Sequence, residues 1–257
     1  MLIGKGPSVP GEFLDMQAKV GITKHIGGLR ATKDLLAMCH IEDAGEVLEV
    51  GCGIGVGPAY IARTYGCHVV GVDASERMVE WSRQRAREEG VEARVEFQVA
   101  DVLALPFEAG RFDVVFCESV LAFVGDKERA IREMVRVAKP GGHVGMNEGL
   151  FLEDPPDDVA RVAHEMGIAE IPSAPAWRAL WDGSGLQDRE VKLRRVDPRV
   201  EVRSRLRWIG LGWIARAWAR GLRLYLTEPR VRHSFKVAAS GGKALEWTAY
   251  GLFAGRR

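Results

Sequence analysis

Val47-Leu48-Glu49-Val50-Gly51-Cys52-Gly53-Ile54-Gly55-Val56-Gly57 decides how this chain is read. A short apolar run with one acid inside it predicts a buried parallel strand. It breaks into alternating glycines, and Pro58-Ala59-Tyr60-Ile61-Ala62-Arg63 then opens a helix. Glycines at such a turn let the backbone bend tightly and let a ligand lie against the main chain, where a Cβ would collide with it. A nicotinamide-binding turn wants Gly-x-Gly-x-x-Gly; counting from Gly51, Val56 stands where the third glycine belongs. A phosphate loop would end in Gly-Lys-Ser/Thr, and none follows. Glu49 argues against an ordinary turn, because a carboxylate on a buried strand is costly without a partner.

From Glu46 onward, strand and helix patterns alternate regularly, which predicts a parallel sheet covered on both faces. The expected strands are Val47–Val50, His68–Val72, Arg94–Ala100, Phe112–Cys117 and His143–Asn147. Helices are expected at Pro58–Tyr65, Ser75–Glu89 and Lys127–Ala138, with Pro140-Gly141-Gly142 turning the chain into the fifth strand. Later come a turn at Asp154-Pro155-Pro156-Asp157, helices at Asp158–Met166 and Ala174–Leu180, and strands at Asp188–Val196 and Glu246–Ala254. Before the sheet, residues 1–11 form a loose lead-in, with helices at Glu12–Val20 and Thr32–His40 around a loop at 21–28.

Acids recur at the carboxyl ends of these strands, where open α/β sheets bind ligands. Asp73 follows Val69-Val70-Gly71-Val72, Asp101 follows Val99-Ala100, and Glu118 follows Phe116-Cys117. Together with Leu103-Ala104-Leu105-Pro106-Phe107, Phe112-Asp113-Val114-Val115 and Pro140-Gly141-Gly142, these runs resemble the motifs of class I S-adenosylmethionine (SAM) dependent methyltransferases. The resemblance covers residues 46–147, with its motifs in order. It implies a Rossmann-like α/β fold: a seven-stranded, mostly parallel sheet whose last strand is antiparallel, helices on both faces and helical cap elements.

The resemblance also implies roles. Glu49, Gly51, Cys52, Gly53, Gly55 and Glu118 would surround the methionine part of SAM. Asp73 would accept from the ribose hydroxyls, with Ala74 and Met78 against the adenine and Asp101 and Val102 receiving its exocyclic edge. The product would be S-adenosylhomocysteine (SAH). Expected divisions are a cap over 1–45, a cofactor core over 46–198, an insertion over 199–245 and the last strand over 246–257.

Placing a nucleophile in line with the sulfonium methyl supplies most of such a rate enhancement, so no conspicuous triad is needed. Glu148 and His25 are the candidates for a base touching the acceptor, although His25 also reads as an exposed loop histidine. Glu118-Ser119-Val120-Leu121 stands where an Asn/Asp-Pro-Pro-Tyr run would mark amine methylation of bases or protein side chains, so nucleic acid is disfavoured. The resemblance is nearest to quinone-, sterol- and tocopherol-type enzymes, which implies a small hydrophobic or amphiphilic acceptor. A SAM- or SAH-binding protein without turnover and, further off, a nicotinamide oxidoreductase remain as alternatives.

Hydrophobic residues make up 47% of the 257 and charged ones 28%, ordinary values for a soluble chain. No apolar run is long enough to span a bilayer, and no signal-peptide core follows Met1, so a cytoplasmic protein is expected. Cys39, Cys52, Cys67 and Cys117 show no disulfide or metal spacing, and no metal is expected. Residues 199–257 hold 13 Lys+Arg against 3 Asp+Glu, whereas the first 198 hold 23 against 32. Either that basic segment docks on the acidic remainder, or it meets an anionic surface. Within it, residues 206–226 predict a helix with Arg216, Arg220 and Arg223 on one face and Trp, Leu and Ile around the rest. It reads as a lid, as a peripheral membrane contact through 205–226, or as a homodimer surface.

Overall fold

The computed structural model describes residues 12–23, 25–151, 153, 156–166, 171–197, 204, 208–240 and 247–257. Seven strands form one sheet: β1 (Glu46–Val50), β2 (His68–Asp73), β3 (Val95–Val99), β4 (Phe112–Glu118), β5 (Ala138–Phe151), β6 (Gln187–Arg195) and β7 (Thr248–Arg256). Their order is β3-β2-β1-β4-β5-β7-β6. The pairs among β1 to β5 are parallel, and β7 runs antiparallel to both β5 and β6. This is the expected α/β architecture, and the chain order reverses at β1 and β4, where such sheets place ligands.

Alternation along each strand sorts the core. Leu48, Val50, Val115, Cys117, Val144 and Met146 pack on one face with Trp177, Trp181 and Phe253. Val47, Val69, Val114, Phe116 and Leu252 pack on the other with Leu35 and Leu36. Helix α5 (Lys127–Val137) and α7 (Ala174–Asp182) serve the first face. The second is covered by α2 (Gly28–Met38), α3 (Val56–Tyr65) and α4 (Glu76–Glu89). Ser75 caps α4, its hydroxyl accepting from the Met78 amide, which fixes where the helix begins.

Three expectations change. Helix α2 begins at Gly28 rather than Thr32, because Gly27 and Gly28 both take positive φ and turn the loop into the helix four residues early. Pro140-Gly141-Gly142 does not precede the fifth strand but lies inside it; the ladder with β4 jumps register there, and Gly141 and Gly142 exchange backbone hydrogen bonds with Arg257 instead. Residues 211–240 of the basic insertion form two helices, α8 (Leu211–Thr227) and α9 (Pro229–Ser240), because Pro229 cannot continue the first. The lead-in 1–11, Asp154-Pro155, residues 205–207 and Glu246 lie outside the described residues.

The cap is built from α1 (Glu12–Val20), α6 (Asp157–Glu165), α8 and α9. Phe13, Met16 and Val20 of α1 bury themselves with Ala217 and Val231. Farther along α8, Trp213 joins Ile209, Ala18, Ile54 and Met78 in a buried cluster that ties this helix to the glycine turn.

Candidate functional site

Gly51, Gly53 and Gly55 all take positive φ, as a tight strand-to-helix turn demands. A Cβ at Gly51 would run into the Val120 side chain, and one at Gly53 would lie 2.6 Å from Thr23 Oγ1. The cap loop therefore sits directly on the glycine turn. Cys52 is buried, its thiol 3.8 Å from Ser82 Oγ. All four cysteines are free and buried; burial pushes the Cys39 thiol up to about 12 and holds Cys52 and Cys117 well above the ordinary range.

Three of the four strand-end acids converge. Glu49 is buried on β1, and a Cβ at Gly57 would collide with its carboxylate. Burial holds its carboxyl well above the usual range, and the charges of Glu118 and Asp73 add to the effect. Its Oε2 has no hydrogen-bond partner among the described residues. Asp73, closing β2, accepts from the Gly53 amide on Oδ2 and the Ser75 amide on Oδ1, each at 2.9 Å. Burial nevertheless pushes it up to about 6. Asp101 stands apart: it is exposed, and Oδ1 accepts from the Leu103 amide at 2.9 Å. Val102 behind it is buried in the core, Met78 is buried against the cap and Ala74 is exposed.

Glu118, the third converging acid, is the hub of a network. It accepts from Thr32 Oγ1 at 2.9 Å and from Asn147 Nδ2 at 3.1 Å. Since the single hydroxyl proton of Thr32 goes to Glu118, His25 Nε2, 3.1 Å away, is the donor to Thr32 Oγ1. His25 is thus no exposed loop residue: its side chain is 11% exposed, 4.0 Å from Glu118, with the Trp208 ring edge-on. The loop is held by two further bonds, Asn147 Nδ2 to the Ile26 carbonyl and the Ile26 amide to Ser119 Oγ.

Glu148 does not share the face of Glu118. Glu118 pairs in register with Asn147, so alternation sends the next side chain, Glu148, to the opposite face of the sheet. It is fully buried there, and Oε1 accepts from the amides of Val120 at 2.9 Å and Leu121 at 2.8 Å. Burial pushes it up to about 7 against those bonds. Glu148 braces the segment after β4 and does not line the cavity described below.

That cavity, about 840 Å³, lies under the cap and opens between α1, α6, α8 and α9. Its walls are almost wholly apolar, among them Phe13, Met16, Val162, Met166, Trp218 and Phe235, and its inner end is marked by Ile26 and Ser119. Ser119 is one of three non-glycine residues at positive φ among the described residues, at 57°, a strain that persists only where surrounding bonds hold it. Its amide donates to the Asn147 carbonyl at 2.7 Å. Thr32 was missed in the sequence, though a hydroxyl in register with Leu35 and Leu36 on an apolar helix face is a readable signal. The conformation of Ser119 left no such mark. His40, Glu42 and Asp43 bring possible ligand atoms within 4.8 Å of one another, but all three are exposed.

Residues 48–146 match the family model described as a methyltransferase domain. Methyltransferase GfsG of Streptomyces halstedii is 35% identical over 138 residues, 54% of this chain and 49% of that protein. The chain spans about half the length, or less, of the curated relatives it matches. Among solved structures, the [4+2]-cyclase SpnF superposes with a TM-score of 0.74 at 22% identity, covering 100% of this chain and 98% of the other. A SAM-dependent methyltransferase from Thiobacillus denitrificans, in complex with SAH, gives 0.69 at 22% identity over 96% of this chain and 98% of its own. These likenesses establish the fold.

Proposed function

We propose that this chain, whose residues 48–146 match the model of a methyltransferase domain, moves the methyl group of SAM to a small, apolar or amphiphilic acceptor. The observation that carries this reading is Glu49. A buried carboxylate beside two other acids, with one oxygen unpartnered among the described residues, calls for a cation. The ammonium of SAM's methionine end is that cation, and the positive-φ glycines above it leave backbone, not side chain, facing the ligand.

Glu49 and the turn from Gly51 to Gly55 would hold the amino acid end, Asp73 the ribose, and Ala74, Met78, Asp101 and Val102 the adenine. When bound, SAM supplies an electrophilic methyl group on a leaving thioether. The chain supplies placement: an apolar cavity strips water from the acceptor and presents it at the Ser119 end. His25, oriented by its contact with Thr32 beside Glu118, would take the acceptor's proton. Calorimetry with SAM and SAH, followed by labelled SAM with lipid and metabolite extracts, tests the proposal. Failure to bind either compound would end it.

A second reading is favoured by the cavity walls, on which Tyr225 is the one titratable side chain among the described residues. Shape alone can promote ring closure, and SpnF is named as a [4+2]-cyclase. Mass spectrometry separates the two, since only methyl transfer adds a methyl mass to the acceptor.

A further inference from the structure

The outward face of α8 and the mouth of the cavity are one surface. At 100° per residue, Leu211, Ala215, Trp218, Leu222, Tyr225 and Leu226 fall within about 100° of the helix circumference. Buried Trp213 lies on the opposite side, and buried Gly221 and Ala217, which also line the cavity, fall between it and Tyr225. Leu211, Trp218, Leu222 and Leu226 are each between 61% and 72% exposed. The stripe runs about 22 Å along the helix at 1.5 Å per residue, and Trp218, Leu222 and Tyr225 also line the cavity. Isolated exposed apolar residues are commonplace; a continuous stripe of this length on one helix is an interaction surface.

Helix α8 cannot roll to hide it. Trp213 Nε1 donates to the Gly21 carbonyl at 2.7 Å, Arg216 pairs with Glu88 at 2.7 Å, and Arg220 Nε donates to the Val20 carbonyl at 2.8 Å. Part of the basic segment thus docks on the body. Other cations border the stripe instead. Arg223 follows Leu226 around the helix and is exposed, and the Arg232 guanidinium lies 5.9 Å from the Tyr225 ring. Residues 208–240 hold six Lys or Arg and one acid, Glu228, which is taken by Lys19 at 2.8 Å.

We propose that this face docks on an anionic phospholipid bilayer, with the cavity mouth opening to the lipid. An apolar stripe edged by arginines suits an anionic interface. A second copy packed face to face would set Arg223 and Arg232 against like charges and plug the cavity. No described helix is long and apolar enough to cross a membrane, so the contact is with the surface. The lipid-facing mouth rests on the reading that the cavity takes the acceptor.

The test is sedimentation of the whole chain with vesicles of phosphatidylcholine alone or mixed with phosphatidylglycerol. The chain should pellet with the mixed vesicles, and added salt should release it. Leu211 and Leu226 are in the stripe but do not line the cavity, so L211E/L226E should lose at least about tenfold in partition while binding SAM as the wild type does. R223E/R232E should lose a comparable amount. Brominated phosphatidylglycerol should quench tryptophan emission, and the quenched fraction should shrink in W218F. Wild-type chain left in the supernatant, variants that pellet like wild type, or a dimer dissolved by L211E/L226E would each overturn the docking. A chain that docks but ignores SAM and SAH would overturn the methyltransferase reading and the acceptor's entry from lipid, leaving the docking itself standing.

Discussion

The hydroxyl of Thr32 donates to Glu118 Oε2 across 2.9 Å, joining helix α2 to the tip of β4. Because Thr32 Oγ1 also lies 3.1 Å from His25 Nε2, one buried hydroxyl both anchors a carboxylate and orients a histidine. T32V keeps the shape and removes the proton. It should cost about 1–3 kcal/mol in chemical denaturation, the range for stranding a buried acceptor, and T32S should restore most of it. If His25 is the base, T32V should also lower kcat and alter its pH profile with little change in SAM affinity. An unchanged profile would leave Thr32 a purely structural residue.

Glu49 trades stability for binding. Burial and the charges of Glu118 and Asp73 disfavour its ionised form, so E49Q should melt no lower than wild type near neutral pH. The same change removes the partner of the proposed ammonium and should weaken SAM binding about 10- to 100-fold, as losing a hydrogen bond to a charged group does. Equal SAM affinity by calorimetry would place the cofactor's cation elsewhere.

Glu148 gives a pH dependence of known sign. Its folded pKa is raised from 4.5 to about 7, so the folded state holds its proton where the unfolded state has released it. The stabilising contribution is complete below about pH 4.5 and drains away as pH climbs through 7. E148Q keeps an oxygen for the Val120 and Leu121 amides without that charge. Its stability should equal wild type near pH 4 and exceed it at pH 8 by up to about 3 kcal/mol. Parallel curves would rule out the titration.

Asp73 should tie SAM affinity to pH. Its pKa is pushed up to about 6, and the ionised carboxylate is the better acceptor for two hydroxyls. Binding should therefore weaken as pH falls below 6 in wild type, while D73N should bind weakly at every pH. The check is calorimetry between pH 5 and 8.

The sheet was legible because each of its rules is local. Outside β5, apolar runs, glycine breaks and the acids at strand ends survive into the structure within a residue or two, down to Ser75 capping α4. Three strand-end acids converge as expected, but exposed Asp101 does not join them. Glu148 was misjudged because the extent of β5 was underestimated, and a side chain's face depends on counting from a known neighbour, here Glu118 opposite Asn147. A lid over an apolar pocket was one reading of the basic insertion, but the cavity's walls could not be assigned. The cavity exists only where α1, α6, α8 and α9 meet, bringing together residues as far apart as Phe13 and Ala238, and nothing in a single helix states which of its faces will find a partner.

The cavity supplies the last prediction. Ala163 on α6 contributes a small side chain to its wall, so A163F would fill space there without touching Glu49, Asp73 or the glycine turn. Overpacking costs only about 1–3 kcal/mol in a close-packed core, and into open space it should cost less, so the variant should fold. SAM affinity should stay within about twofold of wild type, since distant independent sites are nearly additive. Turnover of a bulky apolar acceptor should fall at least about tenfold through KM, and a smaller acceptor should suffer less. Were A163F to treat both acceptors as the wild type does, the acceptor would have to bind outside this cavity.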